Sequence, residues 1–207
     1  MGTRVRARAG DCLLPATVLL LCLALPGCRG GGPESGSIPP GPEAGPEPGE
    51  ISAKWCLTSA AFAHNTEIPV KHTCDGENLS PALAWGESPP GTVELALICN
   101  DPDAPSGNWT HWVIYGISPD ERSLPEGVSD AETLHEFGGA KQGLNDSGGI
   151  GYTGPCPPAG RVHHYHFRLY ALDAATDLPP GATEAALRSA TAGHVLARSE
   201  VVGLYSR

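Results

Sequence analysis

The chain has 207 residues, with 13 Lys and Arg against 23 Asp and Glu, a formal net charge of −10 at pH 7 and 40% hydrophobic residues. An acidic surface repels nucleic acid and offers no polybasic attraction to anionic lipid, so a nucleic-acid partner and charge-driven membrane adsorption are excluded. The length suits a single core-bearing domain together with accessory segments.

Residues 1–27 read as a signal peptide. Arg4, Arg6 and Arg8 form a basic start, and Leu13 to Leu25 is an apolar run interrupted only by Pro15 and Thr17. The run is short for a spanning helix, and Leu25-Pro26-Gly27-Cys28 resembles a lipoprotein signal-peptidase site. The expectation is an exported protein with acyl chains, palmitate among them, on Cys28; an ordinary secretory signal cut elsewhere is the alternative. Residues 28–49 then form a linker. Positions 29–49 carry 13 Gly or Pro among 21, a composition that cannot bury enough apolar surface to offset chain ordering. The folded domain is placed at 50–207. Loss of Arg4, Arg6, Arg8 and Asp11 leaves a mature charge of (13 − 3) − (23 − 1) = −12. Membrane association is therefore expected through the anchor.

Cys56, Cys74, Cys99 and Cys156 lie in the domain. Four cysteines in an exported domain suggest disulfides with three connectivities, buried free thiols being the alternative. No pair has Cys-x-x-Cys spacing, so no structural metal is expected.

Strand patterns dominate the domain. Thr92–Cys99 is a β-rich apolar run closed by an Asp-Pro turn, and Trp112–Ile117 is a second, closed by Ser118-Pro119-Asp120. His163 to Leu172 alternates, with His164, His166, Arg168 and Tyr170 on one face and Tyr165, Phe167 and Leu169 on the other. One helix is expected over Glu184–Ala192, capped by Thr183 and ended by Gly193, with a last strand running to Tyr205. These patterns predict a β-dominated fold with few helices.

Two rigid turns each lead into a strand that opens with a histidine. Asp101-Pro102-Asp103-Ala104-Pro105 precedes Trp109-Thr110-His111-Trp112, and Gly151 to Pro158 precedes His163-His164-Tyr165. Taken singly, the aspartates are ordinary turn residues and His111 an ordinary core histidine. Together they bring two imidazoles and one or two carboxylates to one end of a sheet. His163 and Tyr165 share a strand face, and His164 points the other way. In the Gly154-Pro155-Cys156-Pro157-Pro158 loop the prolines carry no N–H, so a backbone cradle would rest on Thr153, Gly154 and Cys156. There is no Gly-Lys-Ser/Thr phosphate loop, and no cofactor is expected.

These motifs, with Thr73-Cys74-Asp75-Gly76-Glu77-Asn78-Leu79-Ser80-Pro81, Trp85, Gln142 to Asp146 and Gly203-Leu204-Tyr205-Ser206-Arg207, resemble the phosphatidylethanolamine-binding protein family in its bacterial Raf-kinase-inhibitor-like branch, over roughly residues 51–207. The resemblance implies a large antiparallel sheet packed with a smaller one. It implies a ligand pocket lined by Asp101, Asp103, Trp109, His111, Gly154, His163 and Tyr165. Cys74 and Cys156 lie in family motifs, which favours Cys74–Cys156 with Cys56–Cys99. His164 stands where the family usually has arginine, and Ser147 where it usually has an aromatic residue.

The expected function is non-enzymatic binding of a small anion or phospholipid headgroup by a lipid-anchored domain of the cell envelope. A carboxylate facing phosphate must orient a histidine, take up a proton or meet an ammonium. The wider family implies a regulatory role; outside the cytoplasm, protease inhibition is its more plausible form, with the protein partner unspecified. The alternative is a metal-dependent phosphoester hydrolase using the His/Asp cluster. The chain has no His-Glu-x-x-His or Gly-x-Ser-x-Gly pattern to favour it.

Overall fold

The computed structural model describes residues 55–207. The expected signal peptide (1–27), the expected lipidation site Cys28 and the expected linker (28–49) lie outside the described residues. Strands β1 (Thr58–Ser59), β3 (Leu83–Ala84) and β6 (Ser123–Leu124) form a three-stranded antiparallel sheet, ordered β1-β3-β6. A larger sheet contains β2 (Thr66–Glu67), β4 (Glu94–Asp101), β5 (Trp109–Ile117), β7 (Thr133–Leu134), β8 (Ala140–Gln142), β9 (His163–Leu172) and β10 (Val195–Tyr205). Its order is β2-β10-β9-β4-β5-β8-β7, antiparallel throughout except for the short parallel pairing of β2 with β10. The β-dominated fold expected from the sequence is thus observed, with one α-helix, α1 (Glu184–Ala190), among the described residues.

Burial explains the strand patterns. β4 sits between β5 and β9 and is buried along its whole length, which is why Leu95 to Cys99 is continuously apolar. Leu95, Leu97 and Cys99 face the main core with Trp112, Ile114, Phe167 and Leu169, under Leu83 and Leu124 of the small sheet. Ala96, Ile98, Val113, Tyr115 and Leu172 face the other side, where Leu187 of α1 covers them. β9 alternates: His163, Tyr165, Phe167 and Leu169 are buried, whereas His164 is exposed and His166, Arg168 and Tyr170 half-buried. The Thr183 hydroxyl caps α1 by accepting the Ala186 N–H at 3.3 Å, and Gly193 follows at φ +86°.

Two boundaries shift in ways that matter for the site. β4 continues through Asp101, which pairs with Trp109, and β5 begins at Trp109. Asp101 therefore belongs to a strand end, and His111 is the third residue of its strand.

Cys74 and Cys156 form a disulfide with a Cα–Cα distance of 5.4 Å. The expected Cys56–Cys99 bridge is not formed. Cys99 is a free, buried thiol on the central strand, turned into the core between its neighbours Trp112 and Phe167. Burial pushes its thiol well above the ordinary range, so it behaves as a small apolar core residue.

Candidate functional site

The ends of β4, β5 and β9 bring the predicted residues together. His163 opens β9, and its Nδ1–H donates to Asp101 Oδ2 at 2.7 Å. Both side chains are 4% exposed, so the pair is held in a largely dry setting. The other oxygen, Oδ1, accepts the Asp103 N–H at 2.8 Å. Asp101 thus spends one oxygen on shaping its own turn and the other on orienting an imidazole.

His111 lies across from this pair. Its Nδ1–H donates to the Thr153 carbonyl at 2.7 Å, and the Thr153 N–H donates back to the His111 carbonyl at 3.0 Å. This reciprocal pair ties β5 to the 151–156 loop and leaves Nε2 as the ring nitrogen for a ligand. Burial pushes the His111 imidazole below its ordinary range. The Thr153 bond and the carboxylates of Asp101 and Asp146 oppose that shift, and His163 adds to it.

Tyr165 sits two residues beyond His163 on the same buried face. Its ring meets the His111 ring edge-on, with centroids 5.1 Å apart at 74°. Its hydroxyl is buried and has no hydrogen-bond partner. Burial, followed by the field of Asp101, pushes its pKa far up, so the group stays a neutral O–H donor.

Trp109 is half-buried and pairs with Asp101 across β4 and β5, on the strand face it shares with His111. Asp103 and His164 lie on the exposed rim. Asp103 Oδ2 accepts both the Nδ1–H of His164 at 2.7 Å and its backbone N–H at 2.9 Å. The His164 side-chain bond, with its backbone N–H bond and the neighbouring imidazoles adding to it, holds the Asp103 carboxyl below its usual range against the opposing effect of burial. His164 does leave from the opposite face of β9, as alternation requires, but it pins the Asp-Pro turn from outside.

The expected backbone cradle is corrected. The Thr153 N–H is bonded to His111, and the Gly154 N–H to Asn78 Oδ1 at 2.7 Å. Gly154 has a different role: a Cβ there would lie 2.5 Å from the His72 carbonyl and 2.7 Å from Asn78 Oδ1. Only glycine lets the loop close on the 72–78 turn. Sequence reasoning gave no separate role to Asn78, or to Asp146, whose carboxylate accepts the Thr110 N–H at 2.7 Å and biases His111. The signal available for Asn78 was its place in a turn, where its φ of 59° suits asparagine better than most residues.

Fold and cluster together define a two-sheet domain of the binding type, with imidazoles, a phenol and carboxylates gathered at the end of its large sheet. A family model described as "Phosphatidylethanolamine-binding protein" matches residues 58–206, and the chain belongs to that family. It is 54% identical to a UPF0098 protein of Methanothermobacter thermautotrophicus over 73% of this chain and 98% of that one. It is 40% identical to a Mycobacterium tuberculosis protein named "Putative lipoprotein LppC", over 90% of this chain and 92% of that one. The structure resembles that of Escherichia coli YbcL, described as a new member of the mammalian family, with a TM-score of 0.70 and 30% identity over 75% of this chain and 99% of that one.

Proposed function

We propose that this protein is an exported, lipid-anchored domain that binds a small anionic phospho-ligand or phospholipid headgroup without turning it over. The observation that carries this reading is the buried, unpartnered Tyr165 hydroxyl beside two imidazoles whose Nδ1 atoms are already committed. A buried polar group without a partner is costly, and an anion's oxygen would satisfy it. A protonated His111 and the Asp101-paired His163 would each add a charge-assisted Nε2–H bond. Asp101 does not oppose the anion, because its charge is spent on His163 and on the turn. Asp103, on the rim, would be the carboxylate to meet the ammonium of phosphoethanolamine.

Family membership supports binding in general. The similarity to a protein named as a lipoprotein supports export and anchoring through Cys28. A protease-inhibitor role would use the exposed rim around Asp103 and His164. The hydrolase alternative has no observation in its favour. Asp101 pairs with His163 and Asp103 with His164, and among the described residues no three His, Cys, Asp or Glu side chains converge as a metal site.

Calorimetry with phosphoethanolamine and inorganic phosphate tests the reading. His111→Ala or His163→Ala should cost about 1.5–3 kcal/mol of binding, the scale of a charge-assisted hydrogen bond. Affinity should fall as pH rises, with proton uptake on binding, because the ligand favours the charged imidazole that burial disfavours. His164→Ala should cost far less. No binding of any phospho-compound by the wild type would reject the reading.

A further inference from the structure

The geometry points to the Cys74–Cys156 disulfide as a reductant-accessible clamp that controls the His111 side of the site. This rests on the proposed site, and it adds a means of regulation. The bridge joins the 73–78 turn to the 151–156 loop. That loop supplies the Thr153 carbonyl that holds the His111 ring, three residues before Cys156. Both cysteines are exposed, although the loop around them is largely buried. An attacking thiolate can therefore reach the bridge without the domain unfolding.

The noncovalent links between the two segments are few. Asn78 Oδ1 accepts the Gly154 N–H, the Cys74 N–H donates to the Pro155 carbonyl at 3.1 Å, and the Tyr152 hydroxyl donates to the His72 carbonyl at 2.8 Å. All three are neutral hydrogen bonds. Gly148 and Gly149 precede the loop and Gly151 opens it, and Gly148 and Gly151 adopt positive φ. Without the bridge, these three neutral bonds and the close packing of Gly154 are what hold the loop on the 72–78 turn.

The two sulfurs differ. Arg207 Nη1 lies 3.8 Å from Cys156 Sγ, and the same guanidinium is held by Asp75 Oδ2, 3.0 Å from Nε. The Gly160 N–H donates to the Arg207 carbonyl at 2.9 Å, fixing its backbone. A thiolate leaving from Cys156 is stabilised by this cation, whereas one leaving from Cys74 would face Asp75 in the next position. The step is a dithiol exchange. One thiolate of the reductant attacks Cys74 Sγ, and the electron pair of the S–S bond leaves on Cys156. The second thiol of the reductant then displaces Cys74. The reductant becomes a disulfide; its two electrons and two protons end on Cys74 and Cys156.

Dithiothreitol is the probe, applied to the mature full-length protein. Peptide mapping follows the bridge, and NMR follows the ring nitrogens of His111. Reduction should leave the core signals of Trp112 and Phe167 in place. It should move the His111 nitrogen shifts toward those of a solvated imidazole and raise exchange of the Gly154 amide at least tenfold. The Cys74→Ser/Cys156→Ser protein should reproduce the reduced spectrum. Arg207→Gln should slow reduction severalfold, and Arg207→Lys should restore much of the rate. An unchanged His111 in reduced protein, or global unfolding on reduction, would overturn the proposal, as would unslowed reduction of Arg207→Gln. Phosphate calorimetry is a separate arm: reduced protein should bind at least fivefold more weakly. If oxidised protein binds no phosphate, the ligand reading fails, while the His111 spectra still decide whether the clamp exists.

Discussion

Tyr165→Phe separates stability from binding. The mutation removes one oxygen and keeps the ring, which is 1% exposed and packed edge-on against His111. In the free protein that oxygen is buried without a partner. Leaving a hydroxyl dry costs about 1–3 kcal/mol, so removing it should leave the free protein unchanged or stabilise it by about 1 kcal/mol. Most tyrosine truncations in a core destabilise, so the sign is informative. In the complex the same oxygen is read as a donor to an anion, a bond worth about 1.5–3 kcal/mol. The variant should therefore bind phosphate or phosphoethanolamine about 10- to 150-fold more weakly. Urea unfolding without ligand measures the first effect, and calorimetry measures the second. Destabilisation of the free protein by about 1 kcal/mol or more would show that the hydroxyl has a partner after all. Unchanged affinity would remove Tyr165 from the pocket. Either result breaks the argument that an orphaned donor marks the ligand position.

Other perturbations test the framework and the anchor. Glu200 is held down to about 2: burial works against the shift, and His166 and Arg168 outweigh it. Its depressed carboxyl contributes stability that is present above the unfolded value near pH 4.5 and lost as pH falls toward 2. Glu200→Gln should cost about 1–2 kcal/mol at neutral pH, discounted for partial solvent screening, and should flatten acid unfolding in that window. A Cβ at Gly203 would lie 2.4 Å from Ile68 Cγ1 and 2.9 Å from Phe62, so Gly203→Ala should destabilise by about 1–3 kcal/mol in chemical denaturation. Cys28→Ser should release the protein from the membrane fraction or leave it uncleaved; unchanged fractionation would exclude acylation there.

Local chemistry alone settled the identities of the four long strands and of the helix, whereas the six described strands of two or three residues carry too little periodicity to be read from sequence. The ten residues of β9 were readable because a half-buried strand must alternate, and α1 because Thr183 caps an Ala/Leu-rich turn. The motif set pointed to the family, and the histidine-bearing strand ends pointed to the cluster. Tertiary structure decided what each polar atom does. Asp101 could have faced a ligand, a proton or a histidine, and only the approach of β9 to the end of β4 assigns it to His163. Gly154 looked like part of an anion cradle, but Asn78, 76 residues away in sequence, takes its N–H. Cys99 looked like half of a disulfide, yet a central strand turns it into the core with no sulfur opposite. The orphaned Tyr165 hydroxyl is invisible in any sequence window. Periodicity follows from a residue's own backbone, whereas hydrogen-bond satisfaction depends on which distant segment the fold brings within about 3 Å.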